Sequence, residues 1–521
     1  GADDHHTLHH SSIEGVCPLK LTCIACAAAG FVALTSAAHA LDWNELGSGS
    51  GTPPGLFNIS LYDSSVAPGT EVPEQPQLAI NPSRSTMIIL NSRRIVGEVA
   101  RSQTRSLAFV GNAWTLMPGP RAMVFPDLDT AVGADPLVAY SPDLLAAVMN
   151  GQEPLGFTSD AFVSFYSSTA WTERGGSLDA GGITDVTQFA NQVYDVAIAL
   201  DPLDRAGVAY SQGSLSRRGI YYRRFDGTNW VEVNGSATTP IAASTSASIT
   251  NIQPTTYFFG SSPVVAFTYV DNTINETVKL LHHDSGDGLW KGLGTSDTTG
   301  LGLGRHPKLA GLRNGSSFYL AFENRFTGAL TVMAWTGTQW QDRGNPLTPW
   351  GLTEIAPFDE VLHGEPAVPN FDIKVDATGR PVVAFRAEYP PASGQYQIFA
   401  SYRNSSGTWV ALGDSSTGAG TSNFAYTPAV SGNAYGHYHP SITLGPDSKP
   451  VIAWSFENGA PSTRCVLVRK YDTAVNSIIA NKANIIALLL GNIPSDPDLL
   501  NVLDFNNDNV VDAGDVERLP N

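Results

Sequence analysis

The feature that most constrains this chain is one short apolar pattern met seven times. It reads Pro381-Val-Val-Ala-Phe, and it recurs as Met87-Ile-Ile-Leu, Leu145-Ala-Ala-Val, Gly207-Val-Ala-Tyr, Pro263-Val-Val-Ala-Phe, Phe318-Tyr-Leu-Ala-Phe and Pro450-Val-Ile-Ala-Trp. In its fullest setting, Phe371–Gly413, the pattern is the second of four apolar runs: Phe371–Val375, Pro381–Phe385, Gln397–Tyr402 and Thr408–Leu412. Asp-Ala-Thr-Gly, Pro-Pro-Ala-Ser-Gly and Asn-Ser-Ser-Gly separate them. β-Branched runs with such punctuation predict a four-stranded antiparallel meander. A sheet of this kind has two faces to bury and can cover neither alone, so it requires copies of itself as neighbours.

The fourth run of each copy carries a tryptophan just after a polar turn: Trp114, Trp171, Trp230, Trp290, Trp340 and Trp409. Six tryptophans against seven second strands leave one copy short of an outer strand. The last copy ends in Val466-Leu-Val-Arg-Lys-Tyr-Asp with no tryptophan after it, whereas Asp42-Trp43-Asn-Glu-Leu46-Gly47 echoes Thr408-Trp409-Val-Ala-Leu412-Gly413. The chain is therefore expected to be all-β, a seven-bladed β-propeller in which an N-terminal strand at Trp43 closes the seventh blade. Closure of this kind leaves only short, protected strand edges. The blades are placed at 77–117, 135–177, 193–235, 247–294, 305–345, 371–413 and 439–472. One tryptophan per blade at the same turn reads as packing.

Net charge is −18, which disfavours nucleic acid and anionic membranes as partners. At the N-terminus, Lys20 precedes the apolar run Leu21–Leu34 and then Ser36-Ala-Ala-His-Ala40, the pattern of a secretory signal cleaved after Ala40. Residues 1–15 read as an extension upstream of it. Cys17, Cys23 and Cys26 fall in or before that segment, leaving Cys465 alone beyond it and no internal disulfide or cysteine-based metal site. No other run is long and apolar enough to act as a transmembrane anchor. The expected organisation is thus 1–40 as signal and extension, 41–472 as propeller, and 473–521 as a separate tail.

Charged residues follow the second strands: Arg93 and Arg94, Glu323 and Arg325, Arg386 and Glu388, and Glu457. The repeat places them near the mouth of a central channel, on the face that receives the longer loops. Arg93, Arg94 and Arg325 are candidate ligand contacts there. His306 and His439, each followed by Pro and at equivalent positions before an inner strand, join them as candidates. Arg386, Glu388, Glu323 and Glu457 are the candidates for acid–base work if the chain is an enzyme. The same charges also suit strand ends that simply meet water.

The unit "PVVAF … IxYxRxxG-x-x-W-x-x-LG" resembles the secreted bacterial sialidase-like (BNR-type) propellers over roughly residues 41–472. Ser285-Gly-Asp287-Gly-Leu-Trp290 approaches that family's Ser/Thr-x-Asp-x-Gly-x-Thr-Trp box in a shortened form. Asp226-Gly-Thr-Asn-Trp230 and Thr336-Gly-Thr-Gln-Trp340 keep only the turn and the tryptophan. No sialidase arginine triad or nucleophile pair is assignable from spacing.

The tail carries the sharpest motif. Asp504, Asn506, Asp508, Asp512 and Asp515 fall at positions 1, 3, 5, 9 and 12 of a loop, with the Val510 carbonyl at position 7. That is the oxygen-ligand spacing of a calcium loop. Asp at position 12 followed by Val-x-x-Leu resembles the type I dockerin family, which implies calcium as cofactor and a cohesin-like partner. An earlier half-repeat, ending in the helical Ile485–Leu490, lacks the carboxylates. The expectation is a secreted, non-catalytic recognition or surface-scaffold protein binding an extracellular glycan or protein. The alternative is a glycan-active hydrolase or lyase with a pocket at the channel mouth.

Overall fold

The computed structural model describes, with interruptions at the longer loops, residues 43–471; among those outside the described residues are 1–42, 46–70, 357–368, 413–435 and 472–521. The calcium-loop residues Asp504 to Asp515 and the N-terminal signal therefore lie outside them. The chain clusters into two compact units, Gly1–Leu41 and Asp42–Asn521, and the second is the one described.

Among the described residues the strands form seven antiparallel sheets, six of them with four strands paired in chain order. Their first strands are Glu71–Asn81, Leu128–Val132, Gln192–Leu200, Thr250–Phe259, Arg305–Gly311, Phe371–Val375 and Gly436–Leu444, numbered here as sheets 1 to 7. Each first strand lies beside the next, and that of sheet 7 lies beside that of sheet 1, so the cycle is closed. The fold is nearly all β and propeller-like; a 3-10 turn at Thr348–Trp350 is the helical element among the described residues. None of these residues forms a helix long and apolar enough to cross a membrane. The strand Trp43–Glu45 completes sheet 7 from the other end of the chain, with Trp43 opposite Tyr471 and Glu45 opposite Arg469.

The recurring second strand is apolar at every position because both of its faces are covered. Successive side chains of a strand point to opposite sides. In sheet 6, Val383 and Phe385 pack with Ala321, Leu330 and Val332 of sheet 5. Val382 and Ala384 pack with Ile442, Ile452 and Trp454 of sheet 7. The core is thus a set of slabs between adjacent sheets. One of them joins the last sheet to the first, through Val451 and Val466 against Leu78, Leu107 and Trp114.

Four of the outer tryptophans tie neighbouring sheets by hydrogen bonds. The indole N–H of Trp230 donates to the Arg174 carbonyl at 3.0 Å, Trp290 to Val233 at 3.0 Å, Trp340 to Leu293 at 3.0 Å and Trp409 to Arg343 at 2.8 Å. Each acceptor lies three residues after the tryptophan of the preceding sheet. These side chains hold the sheets together, as one residue per repeat at a fixed turn suggests.

Three expectations shift. Sheet 2 begins at Leu128–Val132, ahead of the expected start at 135, and sheet 1 begins at Glu71, ahead of 77. His306 and His439 lie inside their inner strands, at register breaks between Arg305 and Lys308 and between Tyr438 and Ser441. Gln253 sits at the matching break in sheet 4, between Ile252 and Thr255. Each of the three precedes a proline and has positive φ: 53° for Gln253, 52° for His306 and 51° for His439. Proline has no N–H to give the ladder, so the strand bulges around it.

Candidate functional site: the channel and its bulged mouth

The bulges define one end of the central channel. There the inner strands are joined by side chains that accept a backbone N–H from the next sheet. Asp195 Oδ2 takes the N–H of Gln253 at 3.2 Å, and Gln253 Oε1 takes that of His306 at 3.1 Å. Thr255 Oγ1 takes Leu309 N–H at 3.3 Å and Asp372 Oδ2 takes Ile442 N–H at 3.0 Å. Ser441 Oγ takes Leu78 N–H at 3.0 Å, carrying the pattern across the closure from sheet 7 to sheet 1. The strain of the left-handed residues is offset by these bonds.

In sheets 3, 4 and 5 the residue after the second-strand pattern contacts the bulge beside it. Ser211 donates its hydroxyl to Asp195, and Thr268 donates to Gln253 Oε1 at 3.1 Å. Glu323 occupies that position in sheet 5, with Oε2 3.4 Å from His306 Nδ1 and Oε1 3.6 Å from Arg305 Nη2. Burial pulls the His306 imidazole below its ordinary pKa, against the Glu323 carboxylate, which draws it up. In sheet 6 the same position is Arg386. Its guanidinium lies 4.2 Å from the Tyr396 ring centre and 4.3 Å from that of Tyr438 in sheet 7. Both rings lie within cation–π distance of the guanidinium. Sheet 3 holds a related pair, Arg218 stacked 3.7 Å from the Tyr194 ring centre, with Nη1 3.7 Å from Asp195 Oδ2.

Glu323 and Arg386 are thus brought to the mouth but lie beneath it, 2% and 4% exposed. Glu388, two residues beyond Arg386 on the same strand, is half-buried and sits opposite Tyr396. His306 is buried and His439 half-buried. Arg93 and Arg94 are placed by backbone only, opposite Pro73 and Val72, and Glu457 likewise, opposite Gly436. Arg325 lies outside the described residues. Sequence reasoning missed Asp195, Gln253, Asp372, Tyr396 and Tyr438. The signal for Gln253 was present, since its Gln-Pro matches the two His-Pro steps. The tyrosines carried none, because their role depends on an arginine from a neighbouring element.

Beyond the bulges the channel opens into a cavity of ≈ 340 Å³, lined by the C-terminal halves of the inner strands of sheets 1, 3, 4, 5, 6 and 7.

No known family profile matches the chain, and neither does any curated protein. Solved structures resemble it at low identity. A Trypanosoma rangeli sialidase in complex with the inhibitor DANA is 11% identical, over 82% of this chain and 59% of its own, with a TM-score of 0.39. A Dyadobacter fermentans protein of unknown function is 10% identical, over 77% and 95%, at 0.40. A Penicillium chrysogenum α-L-arabinanase complexed with arabinobiose is 9% identical, over 77% and 93%, at 0.37. The chain spans less than two thirds of the trypanosomal enzyme. Likeness at this level bears on neither chemistry nor ligand.

Proposed function

We propose that the chain is a secreted, non-catalytic recognition protein. Its propeller has seven blades, closed by the strand at Trp43, and its bulged mouth binds an extracellular glycan or protein. One observation carries the non-catalytic reading: Glu323 and Arg386 are 2% and 4% exposed and engaged with His306 and with two tyrosines. A catalytic carboxylate must come within hydrogen-bond reach of its substrate. Glu388 is the half-buried carboxylate that tests the glycan-active alternative. Incubation of the protein with a broad glycan panel, scoring retention and product release separately, is expected to give retention without turnover. Product release that is lost in Glu388→Gln overturns the reading. Neither retention nor release points to a protein partner instead.

The tail of 473–521 is, in the same proposal, a dockerin-like calcium module with a cohesin-like partner. Asp504, Asn506, Asp508, Asp512 and Asp515, with the Val510 carbonyl, supply oxygen donors of the kind a hard cation takes. Calorimetry is expected to show calcium uptake by the full chain that Asp508→Ala abolishes. Equal uptake by both proteins removes the assignment.

A further inference from the structure

Each register break in sheets 3, 4, 5 and 7 has a residue on the inner strand and, on the second strand, the residue that follows the repeated pattern. The chemistry of the two differs from sheet to sheet. In sheet 4 they are Gln253 and Thr268, both neutral and joined at 3.1 Å. In sheet 3 they are Asp195 and Ser211. In sheet 7 they are the half-buried His439 and Ser455. Among these four, sheet 5 is the one that sets two ionisable groups together, His306 and Glu323. Sheet 4 shows that a left-handed residue before a proline is held without charge. The ionisable pair of sheet 5 therefore adds something that the bulge itself does not require.

The pair is dry and crowded with charge. The side chains of His306, Glu323 and Arg305 are 1%, 3% and 12% exposed. Glu323 Oε2 is 3.4 Å from His306 Nδ1 and Oε1 is 3.6 Å from Arg305 Nη2, so the carboxylate already faces one guanidinium. Lys308 is a further cation on the same strand. Sheet 4 contributes the neutral Gln253, whose Oε1 accepts the His306 N–H at 3.1 Å, and the buried Glu276, whose carbonyl accepts the Gly304 N–H at 2.8 Å. On the other side, the first strand of sheet 6 carries Asp372, whose oxygens accept the Ile373 and Ile442 N–H, and Lys374.

With His306 neutral, Arg305 and Glu323 balance. A proton on the imidazole sets a second buried cation against the same carboxylate, and a buried charge without a partner of its own is costly. Burial accordingly holds His306 below its ordinary pKa; Glu323 acts against that shift, and Arg305 and Lys308 act with it.

We propose that His306 and Glu323 form an acid-sensitive latch, in which protonation of His306 loosens the sheet 5 bulge and the seam it shares with sheet 4. The neutral imidazole is the form that the folded bulge accepts. Its contribution is complete above the unfolded value, about 6.5, and is lost as pH falls below it. Histidine is the side chain that ordinarily changes charge in this range. The latch stands whether or not the mouth binds a glycan or protein.

Amide exchange on the native chain at about pH 7.5 and about pH 5 tests it, each rate referred to the intrinsic rate at that pH. The reporters are the amides of His306 and Leu309, which bond Gln253 and Thr255 of sheet 4. Protection at both is expected to fall roughly tenfold or more on acidification. His306→Gln, which copies Gln253, should hold Leu309 protection constant within about twofold. Circular dichroism checks that each variant is folded. If His306→Gln does not fold, Glu323→Gln decides: it removes the carboxylate that favours the imidazolium, so the acid loss should persist. Constant protection in the native chain overturns the proposal. So does an undiminished loss in folded His306→Gln, or disappearance of the loss in folded Glu323→Gln.

Discussion

Replacing Asp201 with alanine is expected to lower the unfolding free energy at neutral pH by about 3–5 kcal/mol, the scale for breaking a buried charge pair. Asp201 is fully buried at the turn that closes the first hairpin of sheet 3. Its Oδ1 accepts the N–H of Leu203 and of Arg205, each at 2.8 Å. Its Oδ2 accepts Arg205 Nε at 2.8 Å and an Nη of Arg224. Truncation therefore leaves two amides and two guanidinium groups without their acceptor. Burial alone would raise the Asp201 pKa. The Arg205 amide, then the guanidinium bonds of Arg224 and Arg205, outweigh it and hold the group below its ordinary value. A depressed folded pKa contributes stability that is complete above the unfolded value, about 4, and is lost as pH falls through the folded value. Urea titrations should thus show a wide gap between native and Asp201→Ala proteins at pH 7 that narrows below about pH 4. A gap of the same width at both pH values contradicts the ionic account.

Asp372→Ala is expected to cost about 2–4 kcal/mol, from two buried amides left without acceptors. Asp372 bonds Ile373 within its own strand and Ile442 in the next sheet, and it is 8% exposed. The loss should be local as well as global. Amide exchange at Ile442 is expected to accelerate more than at Leu309, whose acceptor is Thr255 on another interface. Unchanged protection at Ile442 shows that the slab of Ile398, Ile442 and Trp454 holds the two sheets without the carboxylate.

Much of the framework was legible because one physical demand repeats. A second strand covered on both faces must be apolar throughout, so Pro381–Phe385 and its copies announce themselves. The tryptophans follow a polar turn at each outer strand for an equally local reason. The first strand of sheet 2 was misplaced because Pro136-Leu-Val-Ala-Tyr140, before Ser-Pro-Asp, carries a stronger strand pattern than Leu128–Val132. The site was less legible. Glu323 and Arg386 stand at equivalent positions after the repeat, and sequence placed both at the mouth. Whether such a side chain meets solvent or supports a bulge depends on the neighbouring strand. Asp372 and Ile442 are 70 residues apart, and Arg386 and Tyr438 meet across two sheets. A bulge that inserts residues before a proline also shifts which side chains face the channel, so alternation read straight through it fails.

The tryptophan bonds have a spectroscopic consequence. Indole emission depends on the polarity around the ring and on the partner of its N–H. Trp230, Trp290, Trp340 and Trp409 each have that partner on the preceding sheet. Their emission therefore gauges the separation of neighbouring sheets rather than the integrity of any one of them. Single-tryptophan variants would turn the outer rim into a set of optical gauges, each assigned to one seam. The order in which their emission shifts during denaturation would then show where the ring parts first.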